Sequence, residues 1–326
     1  MIKLAYKLKL KKNNSNKYIE YIEQNFHINT NNLESQYQHI TIPKRKGGYR
    51  HIVNPNPPLK EYQKYVKTFL ENILHLKPHS SAYAYIKHRD TTLNAKQHQN
   101  CKILMALDIK NFFDNIKKDN LINTLYETYD ELETKIDRDT LEKILEPCFL
   151  NDSLPQGSPT SPTLSNLYMC KFDKIIFNTC FRLGLTYTRY ADDIFISTKD
   201  KINPKKLIEL VQNILDKHSN NTLKLNTEKT KILRIGRCYV TGVKINKDNK
   251  LSYGHEKKKE LKHKIYNLFI KQQNNTLTLE ECQEVLGLYS YAKKIEPDYF
   301  NYLEKKYLKM FNSRESTFAK HFKNII

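Results

Sequence analysis

Residues 103–107, Ile-Leu-Met-Ala-Leu, form a short unbroken apolar run that stops at an acid, Asp108. A run of this length and composition reads as a strand buried on both faces, with a functional side chain at its C-terminal end. Further on, Thr186 to Tyr190 and Ile194 to Thr198 read as two more strands, joined by Ala191-Asp192-Asp193. The pattern predicts a hairpin with two carboxylates at its tip. Carboxylates converging from strand ends can hold two divalent cations roughly 4 Å apart, one serving an attacking oxygen and one a leaving oxygen. Asp108, Asp192 and Asp193 are therefore the candidate metal ligands, and hard oxygen donors suit two Mg²⁺ ions, with Mn²⁺ as a substitute. Taken singly, each acid is as easily a strand-end or turn residue.

The rest of the chain predicts a mixed α/β (α+β) body with a helical end. A short helix is expected over Tyr18 to Phe26, then strands over Tyr37 to Ile42 and Tyr49 to Val53 around the turn Lys46-Gly47-Gly48. Pro55, Pro57 and Pro58 stop the second strand, and apolar residues from Leu59 to Ile73 then recur at helical spacing. A charged helical region should occupy about 114–149. Leu154-Pro155-Gln156-Gly157-Ser158-Pro159 reads as a loop, and Ser161-Pro162 opens a helix through about Phe181. Leu207 to Ile214 reads as helix, Lys231 to Ile235 and Tyr239 to Ile245 as strands, and everything beyond His255 as basic helix. A boundary near 246–255 would set off that helical end.

Lys plus Arg outnumber Asp plus Glu by 55 to 35, a formal net charge of +20, which favours a polyanionic partner, nucleic acid first. Only nine of the basic residues are Arg, so coding bias accounts for part of that excess. The hydrophobic fraction, 39%, is too high for a disordered basic tail. Six cysteines stand without a C-x-x-C pair or zinc spacing, and are expected to be reduced and buried. The N-terminal stretch lacks the apolar core of a secretion signal, and no segment reaches the ~18 apolar residues of a membrane span, so a cytoplasmic protein without a membrane partner is expected.

Tyr190-Ala191-Asp192-Asp193 matches the Y-x-D-D box of reverse transcriptases, and the other boxes of that family occur in its order. They are a basic hairpin, Asp108-Ile109-Lys110-Asn111-Phe112-Phe113, then Pro155-Gln156-Gly157 with Ser158-Pro159, then Asn226-Thr227-Glu228-Lys229-Thr230 and Val240-Thr241-Gly242. The chain thus resembles a bacterial reverse transcriptase related to group II intron enzymes. The resemblance implies a right-hand polymerase, with an N-terminal region and fingers over 1–100, a palm over 101–250 with fingers helices interleaved at about 115–185, and a helical thumb over 251–326. It implies that Asp108 and Asp192 ligate metal, that Asp193 is the third catalytic acid, and that the Ile109 carbonyl is an additional ligand. Phe113 would exclude a ribose 2'-OH. Gln156 and Gly157 would contact the incoming dNTP, with Lys44, Arg50 and Lys229 near its phosphates.

Asn94-Ala95-Lys96-Gln97-His98 is similar to the N-A-x-x-H motif of retron reverse transcriptases, whose V-T-G motif Val240-Thr241-Gly242 also resembles. The implied partners are a cognate structured noncoding RNA, its DNA product, and an effector or toxin protein encoded nearby. The implied reaction starts from an RNA 2'-OH, gives branched RNA-DNA and serves defence against phage; the alternatives are a group II intron-like or other defence reverse transcriptase with a different primer, and a catalytically idle RNA-binding scaffold. Asn94 and His98 would share one helix face and read the RNA or support the segment that does. Lys257, Lys258 and Lys259 would neutralise its backbone.

Overall fold

A computed structural model describes residues 15–43 and 47–323. Helix α1 (Ser15–Asn25) buries Tyr18, Ile19 and Ile22 at helical spacing. Strands β1 (Tyr37–Pro43) and β2 (Tyr49–Pro55) pair antiparallel with Ile42 opposite Arg50, and Gly47 and Gly48 take the positive φ that their turn demands. Asn56 then caps α2 (Pro57–Thr68) by accepting from the Leu59 amide, ahead of two prolines whose missing N–H groups cost nothing in a first turn. Asp90 caps α3 (Thr91–Gln97) in the same way, accepting from Thr92 and Leu93.

The expected buried strand is β3 (Ile103–Asp108). The charged region after it divides into α4 (Lys118–Thr128) and α5 (Arg138–Leu145). The helix expected over 161–181 is two helices, α6 (Ser161–Tyr168) and α7 (Cys170–Arg182), broken at Met169, where ψ is −3°. Strands β4 (Thr186–Tyr190) and β5 (Asp193–Thr198), helix α8 (Pro204–Ser219) and strand β6 (Lys231–Arg234) follow. The resulting four-stranded sheet runs β4-β5-β3-β6, which sets the Asp108 end of β3 beside the start of β5.

The strand expected over 239–245 is instead a hairpin of β7 (Cys238–Val240) and β8 (Val243–Ile245), with β9 (Leu251–Ser252) alongside. Thr241 (φ 47°) and Gly242 (φ 83°) form its two-residue turn. Positive φ at both positions is the type I′ geometry that matches the twist of a two-residue hairpin, so the second half of V-T-G is a turn and not strand. Helices α9 (His255–Gln273), α10 (Leu279–Ile295), α11 (Pro297–Met310) and the short α12 (Phe318–His321) complete the chain.

The chain divides into two compact units. One comprises residues up to Lys87, Leu107–Ile194 and Asn203–Lys231, and its core includes Val66, Phe69, Leu121, Leu125, Tyr168 and Phe172. The other comprises His88–Ala106, Phe195–Ile202 and the residues from Ile232 on. Its helices close around an aromatic cluster in which Phe269 stacks on Phe311 at 4.5 Å and meets the edges of Phe318 and Phe322.

Candidate active site

The three acids expected to act together do meet, and backbone hydrogen bonds bring them there. The Ile109 amide donates to the Asp192 carbonyl at 3.0 Å, and the Asn226 amide donates to the Asp108 carbonyl at 2.7 Å. The end of β3 is therefore held between the β4–β5 turn and the segment leading to β6. Ala191 takes φ 57° in that turn, an uncommon conformation for a residue with a Cβ, and this bends the chain so that Asp192 follows directly on it.

Like charges in a partly dry site raise each other's pKa. Burial, with Asp192 and Asp108 adding to it, pushes the Asp193 carboxyl up to about 7 against the pull of Lys229. Burial also raises Asp192, with Asp108 adding to it and Lys229 and Arg50 opposing. Lys229 Nζ lies 2.8 Å from Asp108 Oδ1, and the hydrogen bond to Asp108 raises its own pKa. The Lys229 side chain is 63% exposed, so this ion pair is weak and the ammonium is free to move to another anion.

Among the described residues no three acidic, histidine or cysteine side chains form a ready-made metal cage. The donor chemistry nonetheless fits a divalent cation: three hard carboxylates, two of them with raised pKa, lie together, with the Lys229 ammonium against Asp108. A cavity of about 690 Å³ opens elsewhere in the same unit, lined by Tyr18, Tyr37, Lys60 and Tyr65 among others, and holds none of the three acids.

Residues 42–284 match the family model for reverse transcriptase (RNA-dependent DNA polymerase). The retron Ec83 reverse transcriptase of Escherichia coli is 32% identical over 284 residues, covering 84% of this chain and 87% of the relative. The chain belongs to the reverse transcriptase family, among the retron enzymes. The retron Ec73 enzyme of Escherichia coli is likewise 32% identical, over 82% of this chain and 85% of its own. A solved telomerase from Candida tropicalis, in complex with a fragment of telomeric RNA, aligns at 15% identity and a TM-score of 0.47, over 83% of this chain and 55% of its own. The protein is an RNA-directed DNA polymerase, working on an RNA template with divalent metal ions.

Apart from Val240-Thr241-Gly242, the boxes of this reverse transcriptase lie in the same unit as the acids. Phe112 is buried, whereas Phe113, its ring 5.3 Å away, is half-buried and so is the ring of the two that can meet a substrate. The Gln156 carbonyl accepts from the Val53 amide at 2.8 Å, docking the Pro155-Gln156-Gly157 loop on β2. Gly157 has φ 123°, and a Cβ there would sit 2.4 Å from the Val53 carbonyl oxygen, so this position requires glycine. Arg50 is exposed on β2, and its charge acts on Asp192. Lys44 lies outside the described residues.

The residues expected at the RNA fall in the other unit, where the structure changes their reading. Asn94 and His98 are both fully buried, so neither side chain is available for direct contact with RNA. His98 Nδ1 pairs with Ser197 Oγ at 2.8 Å, and burial lowers its pKa to about 3, which keeps the ring neutral. Both Asn94 amide atoms lack a hydrogen-bond partner among the described residues. Lys257 and Lys259 are exposed at the start of α9, and Lys257 donates to the Gly242 carbonyl at 3.3 Å. Lys258 is instead half-buried, 2.8 Å from Glu296 and over the Tyr299 ring, so it serves the fold.

Sequence reasoning missed Arg189, Asp173 and Asn166, which lie fully or almost fully buried behind the acidic turn. The available signal was a charged residue inside the strand Thr186–Tyr190, with Asp173 as a second charge on the core face of a helix.

Proposed function

We propose that Asp108 and Asp192 hold two Mg²⁺ ions, with Mn²⁺ able to replace them, and that Asp193 is the third catalytic acid and the Ile109 carbonyl an additional ligand. The observation that carries this reading is the convergence of three carboxylates, two of which, Asp192 and Asp193, have pKa values raised by burial and by the neighbouring acids. Bound there, the cations would lower the charge cost at the attacking and leaving oxygens of nucleotidyl transfer. Lys229 can exchange Asp108 for a phosphate oxygen as the dNTP enters, with Lys44 and Arg50 neutralising the rest of the triphosphate. Gln156 and Gly157 bound the nucleotide through the loop docked on β2, and the Phe113 ring excludes a ribose 2'-OH.

In this reading the fingers span the N-terminal region to about residue 100 and part of 115–185, the palm carries the acids, and the helices from about 251 form the thumb. The template is a structured noncoding RNA made with the enzyme, which primes from its own 2'-OH to give branched RNA-DNA. The setting is the bacterial cytoplasm, in phage defence, with an effector protein encoded nearby. No helix among the described residues is long and apolar enough to cross a membrane.

Primer extension by Asp108→Asn and Asp192→Asn tests the site. Each variant keeps the side-chain shape and removes a charge that the cations require, so activity should fall by a factor on the order of 10² or more while folding survives. Near wild-type extension by either one would remove that acid from the metal site. Nucleic acid copurifying with the wild-type enzyme should contain a 2',5'-branched RNA-DNA junction, whereas linear DNA alone would point to another primer.

A further inference from the structure

Arg189 and Asp173 are both fully buried and meet in a two-pronged pair, Nε to Oδ1 at 2.8 Å and Nη2 to Oδ2 at 2.7 Å. The Tyr187 hydroxyl donates to the same Oδ1 at 2.6 Å. Taking two charges out of water is expensive, and apolar residues of similar volume commonly stabilise a core as well or better. Stability is therefore a poor account of this pair.

What an apolar replacement lacks is the remaining arm of the guanidinium. Arg189 Nη1 donates to the Ala191 carbonyl at 3.0 Å and to Asn166 Oδ1 at 3.1 Å. Ala191 is the left-handed residue of the acidic turn, a conformation that crowds the Cβ of any residue but glycine. Asn166 in turn donates to the Ala84 carbonyl at 2.8 Å. The segment before Ala84 is laid along β4, with the Tyr83 amide donating to the Arg189 carbonyl and the Arg189 amide donating to the Ser81 carbonyl. One planar group thus ties the strained residue of the turn to α6, α7 and the segment that runs beside β4.

We propose that Arg189, fixed by Asp173 and linked through Asn166, is the positioning residue of the catalytic turn, holding Ala191 left-handed so that Asp192 and Asp193 face Asp108. The inference rests on the reading of those acids as catalytic. It assigns the buried ion pair to the geometry of the site and not to the stability of the fold.

The test is a triple replacement, Asp173→Leu, Tyr187→Phe and Arg189→Met, which removes both charges and the hydroxyl that donates to Asp173. We expect a melting temperature equal to or above wild type. We expect kcat for primer extension to fall about ten- to a hundred-fold, as for a misplaced reacting group, with KM for dNTP nearly unchanged. Mn²⁺ titrated into the enzyme without nucleic acid, followed by its EPR signal, should bind several-fold more weakly. Asn166→Ala, which leaves the ion pair in place, should lower kcat less and in the same direction. A folded triple variant with wild-type kcat and Mn²⁺ affinity overturns the proposal. So does failure of both variants to fold, which would make the cluster a requirement of the fold. Asp192→Asn assayed in parallel separates the two readings, because an inactive Asp192→Asn beside a fully active triple variant removes only the positioning role.

Discussion

Burial and two neighbouring carboxylates push the Asp193 carboxyl up to about 7, well above the ordinary value near 3.8, so without a cation it takes up a proton near neutral pH. Between those two values the folded chain binds a proton that the unfolded chain does not, so stability decreases as pH rises. In metal-free buffer the melting temperature should fall by a few degrees as pH passes from about 5 to 8, apart from other titrations, and Asp193→Asn should flatten that part of the profile. A divalent cation replaces the proton, so its stabilising effect should be larger at pH 8 than at pH 5. A wild-type profile unaltered by Asp193→Asn would mean that Asp193 stays ionised throughout.

At the scale of elements, the docking of the Pro155-Gln156-Gly157 loop on β2 leaves no room for a side chain. Gly157→Ala would drive a Cβ to 2.4 Å from the Val53 carbonyl and 2.8 Å from the Ile52 Cγ2, at a φ that favours glycine. The loop must then lift off β2, with a stability cost of about 1–3 kcal/mol. If the loop bounds the nucleotide, KM for dNTP should rise more than kcat falls; lower thermal stability with an unchanged KM would place the loop outside that site. The sequence made β3, the acidic hairpin and this loop legible because each is a local pattern: an apolar run, an acid pair between strands, a Pro-Gly loop. It left the rest illegible where the cause is not local. The V-T-G segment looks like strand until Thr241 and Gly242 are seen at positive φ, and nothing in residues 161–181 marks the break at Met169. Asn94 lies in α3, whereas His98 caps its end just past the last helical residue, and the burial of both depends on what this segment packs against, which spacing alone does not reveal. Arg189, Asp173 and Asn166 come from three separate elements, so no window of sequence joins them.

For the whole molecule, a formal net charge of +20 draws in any polyanion, and the useful distinction is between lysines that meet RNA and lysines that hold the fold. The start of α9 contains both kinds within three residues. Lys257 and Lys259 are exposed, whereas Lys258 is half-buried between the Glu296 carboxylate and the Tyr299 ring. Each phosphate neutralised by a lysine adds about 0.7–0.9 to the slope of log affinity against log salt. Replacing Lys257 and Lys259 together with Gln should therefore lower the slope for RNA binding by about 1.5, and weaken cognate and unrelated RNA alike, because backbone contacts carry no sequence information. Lys258→Gln should act otherwise: it leaves Glu296 half-buried without its cation, so the melting temperature drops while the salt slope stays near wild type. Filter binding across a salt series, with thermal melts of the same preparations, reads both quantities. An unchanged slope in the Lys257/Lys259 variant would move the RNA path off the start of α9, and the excess positive charge would then have to be traced to other helices.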